Sequence, residues 1–165
     1  MRTADSRFPS CILELFSNIS DSVEIGTNCI IGSFVVIRPH VRIGNNSVIA
    51  HNCVIEPFTV IGNNTTVQVF SAFAQGTIIG DNCFFGSYFS STNCKHVPKG
   101  EKGTSPKKLK AKLEPITISD DVIIGANCKF APNVKVGKGT IIGMNCLILK
   151  DVGANQTIKA GTVWK

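Results

Sequence analysis

Residues 43–60 read IGNNSV-IAHNCV-IEPFTV, three six-residue units that each open on isoleucine (Ile43, Ile49, Ile55) and carry a small residue fifth (Ser47, Cys53, Thr59). Stepping outward by six from this stretch, a bulky apolar residue recurs without a miss from Ile19 to Phe85. The phase then breaks, and it resumes from Ile118 through Ile124, Phe130, Val136, Ile142 and Ile148. The fifth position is Val, Ser, Thr or Cys in seventeen of these eighteen hexads, and Phe89 is the exception. Glycine recurs at the second position and asparagine at the fourth, residue types that tolerate positive φ and so mark a turn in each unit.

Six residues are too few for a helix with its turn but suit a short strand and a corner. Three units then close a triangular coil, with first and fifth residues pointing inward. Successive coils stack at about 4.8 Å into three parallel sheets. Eighteen hexads make six coils, a prism about 29 Å tall on that spacing. This phase puts Cys29, Cys53, Cys83, Cys128 and Cys146 at the small inward position, as buried residues rather than disulfide partners. Cys11 and Cys94 fall outside it, and an odd total of seven fits a reducing cytoplasm.

The chain has 165 residues, enough for one domain with a core. No apolar run approaches the roughly 18 residues of a membrane span, so no membrane insertion is expected. The first residues, interrupted by Asp5, Pro9 and Glu14, make a poor signal peptide. The net charge of +6 comes from one segment: residues 95–112 hold seven lysines and one acid, Glu101, and the rest of the chain balances. This segment lies in the break, residues 91–117, a polar, proline-bearing loop on a rigid scaffold, where function is often placed. Its lysines suit phosphate contacts or simple solvation. Without aromatic residues or a known module among the bases, nucleic acid is not expected as a partner.

Units such as IGTNCI (25–30), IGDNCF (79–84), IGANCK (124–129) and IGMNCL (142–147) resemble those of the bacterial hexapeptide-repeat acyltransferases, and the resemblance covers nearly the whole chain. It implies an all-β fold, a left-handed parallel β-helix of about six coils with one inserted loop. The expected divisions are an N-terminal cap (1–18), coils (19–90), the basic loop (91–117), coils (118–153) and a C-terminal cap (154–165). It also implies a homotrimer with parallel axes, acetyl-CoA or another acyl-CoA as co-substrate, and a sugar or sugar-nucleotide acceptor.

Three histidines are candidates for a base near neutral pH. His51, in Ile49-Ala50-His51-Asn52-Cys53-Val54-Ile55, is similar to the general base of lipid A pathway acyltransferases and sugar-nucleotide N-acetyltransferases. The acidic residue that follows it in several relatives is Asn52 here. His96, in the loop ahead of Pro115-Ile116-Thr117-Ile118, resembles the catalytic histidine of galactoside-type O-acetyltransferases. His40 has no motif. Val67-Gln68 and Thr92-Asn93 resemble segments of N-acyltransferases acting on nucleotide-linked 3-amino sugars, so Gln68 and Asn93 are candidate substrate contacts, and Asn52, beside His51, is a third. By the same resemblance the CoA would lie along the later coils, by Gly125, Ala126 and Gly143, with Lys150 facing its phosphates and Trp164 either stacking on adenine or capping the prism.

The expected chemistry is direct transfer. A base removes the proton as the acceptor attacks the thioester, and a backbone N–H at a glycine-rich corner holds the oxyanion. Two other readings stand beside it: a non-catalytic β-helix assembly subunit, and a metalloenzyme of the γ-carbonic-anhydrase type that shares the fold. The second needs three histidines on zinc, two of them close in sequence. Spacings of 11 and 45 provide no such set, so no metal site is expected.

Overall fold

The computed structural model describes residues 2–3, 5–95 and 112–165. Every regular element among them is a strand, and the strands form three sheets around a prism. The first sheet runs from Ile12–Glu14 through Ile30–Ile31, Val48–Ile49, Thr66–Val67, Phe84–Phe85, Ile123–Ile124 and Ile141–Ile142 to Thr157–Ile158. The second runs from Asn18–Ile19 to Val163–Trp164, and the third from Glu24–Ile25 to Lys135–Val136. All pairings are parallel except that of Arg2–Thr3, which lies antiparallel on Leu13–Glu14 and closes one end. The architecture is that of a left-handed parallel β-helix.

It has about eight turns rather than the six expected. Both extra turns come from stretches expected as caps. At the start, Leu13 and Ser17 already occupy the first and fifth positions of a hexad, and Leu13 pairs with Ile31. Cys11 joins in: its thiol donates to the Gly26 carbonyl at 3.1 Å, the relation that the repeat's other cysteines show. At the end, one coil is two residues short, since Val152 pairs with Val136 and Ile158 with Ile142 at separations of 16 instead of 18. The six-residue step then continues through Ile158 to Trp164.

First-position residues fill the prism, and nearly all are buried. The fifth position is small because its side chain lies under the next coil and bonds to it. Cys29, Ser47, Cys53, Thr65, Cys128 and Thr140 each donate to a carbonyl of the following coil at 2.8–3.2 Å. A hydroxyl or thiol there satisfies a corner carbonyl that would otherwise be stranded. Burial pushes the Cys29, Cys53, Cys83 and Cys128 thiols above their ordinary pKa. Phe89 departs from the rule in a coil whose next first position is Ser91, and its ring sits among Phe73, Phe85 and Phe130 at 4.9–5.2 Å.

The insertion leaves from the edge between the second and third sheets. Asp81 and Asp120 are bonded across 39 positions where equivalent neighbours are 18 apart, so 21 residues are inserted. Ser91 and Thr117, the ends of the expected loop, are themselves strand residues. The loop's neck is closed by the Glu114 N–H, which donates to the Asn93 carbonyl at 2.7 Å, and by the Glu114 carboxylate, 3.7 Å from both Lys95 and Lys112.

Candidate functional site on the first edge

The edge between the first and second sheets gathers most of the expected site residues. His51 stands at the third position of its hexad, at the corner that joins Val48–Ile49 to Val54–Ile55. Its side chain is 49% exposed. Nδ1 lies 3.0 Å from the Ser33 backbone N–H on the coil below and 3.2 Å from Glu14 Oε2 two coils below. Glu14 Oε2 also accepts the Ser33 hydroxyl at 2.9 Å and the Ser33 N–H at 3.2 Å. The Ser33 hydroxyl holds the Glu14 carboxyl below the usual carboxylate range, and the facing imidazole adds to this.

A ring with its proton on Nε2 accepts from Ser33. A ring protonated on Nδ1 donates to Glu14, and the Ser33 N–H then goes to the same carboxylate. In both states the protein satisfies Nδ1, while Nε2 has no partner among the described residues. A histidine held at one nitrogen beside a carboxylate, with the other nitrogen open, is equipped to take a proton and remain stable as the imidazolium.

Glycine makes this reach possible. A Cβ on Gly32 would lie 2.7 Å from the His51 nitrogen and 3.0 Å from its Nδ1. Without one, the Glu14 side chain crosses the intervening coil. Glu14 was not among the residues expected from the sequence. Its signal is the conforming hexad LELFSN (13–18), which puts Glu14 at a second position directly below a glycine.

Asn52 follows His51 at positive φ (59°), and its N–H donates to the Ser33 carbonyl at 3.1 Å. Gln68 lies one coil above, where its carbonyl accepts the Cys53 thiol and its N–H donates to Phe85. Gly125, Ala126 and Gly143 are on the same edge, Ala126 three coils above His51, or about 14 Å at strand spacing. The N–H groups of Gly125 and Gly143 are taken by Ile142 and Ile158. Those of Val69, Ser87, Ala126 and Met144 have no acceptor among the described residues. On the third edge, between the third and first sheets, the corresponding N–H groups of Thr27, Asn45, Asn63 and Asp81 are capped by Asn45, Asn63, Asp81 and Asp120. The first edge thus presents a row of open donors above His51.

Asn93 and Lys150 are not brought to His51. Both occupy the second edge, between the second and third sheets. Asn93 donates from Nδ2 to the Gln75 carbonyl at 3.0 Å. Lys150 lies over the Trp164 ring at 5.6 Å and, with Lys95, Asn133 and Asp151, lines a depression of about 360 Å³. The Trp164 indole donates to the Asp151 carbonyl, and its ring packs on the end of the core. His96 lies outside the described residues. Among the described residues no group of three His, Cys, Asp or Glu side chains is arranged to hold a metal ion, and no helix is long and apolar enough to cross a membrane.

Residues 22–57 and 115–150 match the family described as bacterial transferase hexapeptide (six repeats), and residues 76–90 match the hexapeptide repeat of succinyl-transferase. Together these stretches take in just over half of the chain. The 2,3,4,5-tetrahydropyridine-2,6-dicarboxylate N-acetyltransferase of Staphylococcus aureus (strain bovine RF122 / ET3-1) is 46% identical over 48 residues, 29% of this chain and 20% of its own length. The counterpart in strain Newman is 43% identical over 51 residues, 31% and 21% of the two chains. The chain therefore spans about a fifth of the length of these curated relatives.

Solved structures share the fold. LpxA from Acinetobacter baumannii superposes with a TM-score of 0.61 at 19% identity, over 93% of this chain and 66% of that one. The polySia-specific acetyltransferase NeuO gives 0.57 at 21%, over 94% and 78%. AntD, an N-acyltransferase from Bacillus cereus solved with dTDP and 3-hydroxybutyryl-CoA, gives 0.52 at 17%, over 88% and 72%.

Proposed function

Because this chain belongs to the bacterial transferase hexapeptide family, we propose that it is an acyl-CoA-dependent acyltransferase that moves an acetyl or similar group to an amine or hydroxyl of a sugar, with His51 as the general base. The carrying observation is a histidine backed by Glu14 whose Nε2 is open among the described residues, on the edge where the N–H groups of Val69, Ser87, Ala126 and Met144 likewise have no acceptor among them.

The acceptor nitrogen or oxygen attacks the thioester carbonyl while its proton passes to His51 Nε2. The imidazolium is stabilised by Glu14 across the 3.2 Å contact at Nδ1. The carbonyl electrons collect on an oxyanion facing an open corner N–H. They return as the C–S bond breaks, and the CoA sulfur leaves with the proton from Nε2. An extended acyl-CoA arm lies along the donor row by Gly125, Ala126 and Gly143, where small residues let its amides approach the backbone. Asn52 and Gln68 contact the acceptor, and a nucleotide-linked sugar is the acceptor class we favour.

Asn93, Lys150 and the root of the segment with His96 reach this site only from a second copy. We place them there in a homotrimer with parallel axes. Support comes from the outer face of the first sheet, where Phe84, Ile123 and Ile141 stand exposed on consecutive strands and Ile30 is exposed further down. Such a patch marks an association surface. Seven cysteines without a disulfide agree with a cytoplasmic location.

The test is thiol release from acetyl-CoA over a panel of amino sugars and their nucleotide conjugates. His51→Ala is expected to lower kcat about 10²–10⁴-fold. Unchanged release would remove His51 from the mechanism, and loss confined to His96→Ala would move the base into the loop.

A further inference from the structure

The same edge carries aromatic residues where the repeat elsewhere has asparagine. Phe16, Phe34, Phe70 and Tyr88 all sit at the fourth position with φ between 59° and 66°. Left-handed backbone is the regular geometry of this position throughout the repeat, and it is costlier for a bulky side chain than for asparagine. All four are exposed, Phe34 by 55% and Phe70 by 50%. They stack in two pairs, Phe16 on Phe34 and Phe70 on Tyr88, each with ring centroids 5.2 Å apart. One rung interrupts the ladder, that of His51 and Asn52.

The interruption has a definite shape. One face of Phe34 is covered by Phe16 and one face of Phe70 by Tyr88, so by register their other faces are turned toward the rung of Asn52. Two coils separate them, about 10 Å at strand spacing. Asn52 is shorter than phenylalanine, which leaves the outer part of the rung open, and its side-chain amide has no partner among the described residues. Two carbon–carbon contacts of about 3.5–4.0 Å take up most of this gap. The remainder, about 2 Å, exceeds the thickness of a flat ring and leaves room for a puckered saturated one. The ring C–H groups of a sugar, polarised by neighbouring oxygens, are attracted to the negative faces of aromatic rings.

We propose that Phe34 and Phe70 form a clamp for a pyranose ring, with the Asn52 amide bonding its hydroxyl or amide substituents and His51 beside it. The choice of a sugar rests on the acyl-transfer reading above. On the second edge His40 stacks on Phe58 at 5.0 Å with no interrupted rung, so no clamp forms there.

The experiment is saturation-transfer NMR on the full chain with CoA present, using methyl glycosides of glucosamine, galactosamine and 4-amino-4,6-dideoxyglucose as probes. The variants are Phe34→Asn and Phe70→Asn, which install the residue this corner accepts elsewhere, with Phe58→Asn as control. The expected result is transfer to ring C–H protons of at least one glycoside. Affinity should fall at least about fivefold in the two clamp variants and stay level in the control, with elution volume and Tm unchanged. Equal binding by the clamp variants, or no glycoside bound by the wild type, overturns the clamp. So does loss of binding only together with break-up of an assembly, which would make the rings subunit contacts. Clamp-dependent binding without thiol release from any acceptor would leave the clamp standing and remove the transfer reading. Turnover with unchanged acceptor KM in both variants would do the reverse.

Discussion

Glu14 and His51 are 37 positions apart in the chain and two coils apart in the prism, yet Oε2 of one lies 3.2 Å from Nδ1 of the other. The coil between them contributes Gly32, which has no side chain to block the path, and Ser33, which bonds to both partners. The repeat thus brings a carboxylate to the histidine from two coils below.

Replacing Glu14 with glutamine keeps the shape and removes the charge. Loss of the charge that backs the imidazolium is expected to lower kcat about 10–100-fold. The KM for acyl-CoA should hold, and Tm should move little because both side chains are substantially exposed. Steady-state kinetics checks this, and wild-type kcat in Glu14→Gln would mean that Ser33 alone sets the ring. The carboxyl is held below its usual pKa, so the arrangement persists above the ordinary carboxylate value and is lost as pH falls through the lowered one.

Gly32→Ala tests the close approach. A Cβ there meets the His51 nitrogen at 2.7 Å and the Ala50 carbonyl carbon at 2.9 Å, backbone atoms that do not swing aside. Overpacking of this kind costs about 1–3 kcal/mol. Thermal denaturation should show the loss, and kcat should fall further than in a variant equally destabilised on the third edge.

The repeat was legible because its two inward positions obey strict packing demands that residue types reveal. Its ends were not. Leu13 obeys the first-position rule, but Arg7 before it does not, and the corner after Ile148 is two residues short, which hides the continuation through Val152 and Ile158. His51 could be placed at an outward corner from phase alone. Glu14 could not be paired with it, since contacts between coils depend on which second position is a glycine and how far a side chain leans. Counting corners by three from His51 puts Asn93 on another edge directly, and Lys150 there once the insertion length is known, a length that came from pairing across the break.

The buried thiols set an alkaline limit. Burial raises the pKa of Cys29, Cys53, Cys83 and Cys128, so between the ordinary thiol value of about 8.5 and the raised values the folded chain holds protons that the unfolded chain releases. Stability therefore declines as pH rises through that window. Tm scans from pH 7 to 10 should show a fall, shallower in Cys53→Ser, which keeps a donor for the Gln68 carbonyl and does not ionise. An equal slope in the variant would assign the alkaline loss to other groups.

Phe89 and Ser91 exchange the usual sizes of the fifth and first positions, and the exchange predicts a coupling. Phe89 fills space that Ser91 leaves between Phe73 and Phe130, and the Ser91 hydroxyl accepts the Ala74 N–H at 2.9 Å. Phe89→Val alone opens a cavity and is expected to cost roughly 2–4 kcal/mol, somewhat less than full truncation to alanine. Ser91→Ile alone crowds the Phe89 ring and strands the Ala74 N–H, a loss of similar size. The double variant restores the repeat's ordinary pattern and keeps only the stranded N–H as a defect. Its destabilisation in denaturant titrations should be smaller than the sum of the singles by at least about 1 kcal/mol. Additive losses would show that the aromatic cluster is not compensating for the serine, and the size of Phe89 would then need a different cause.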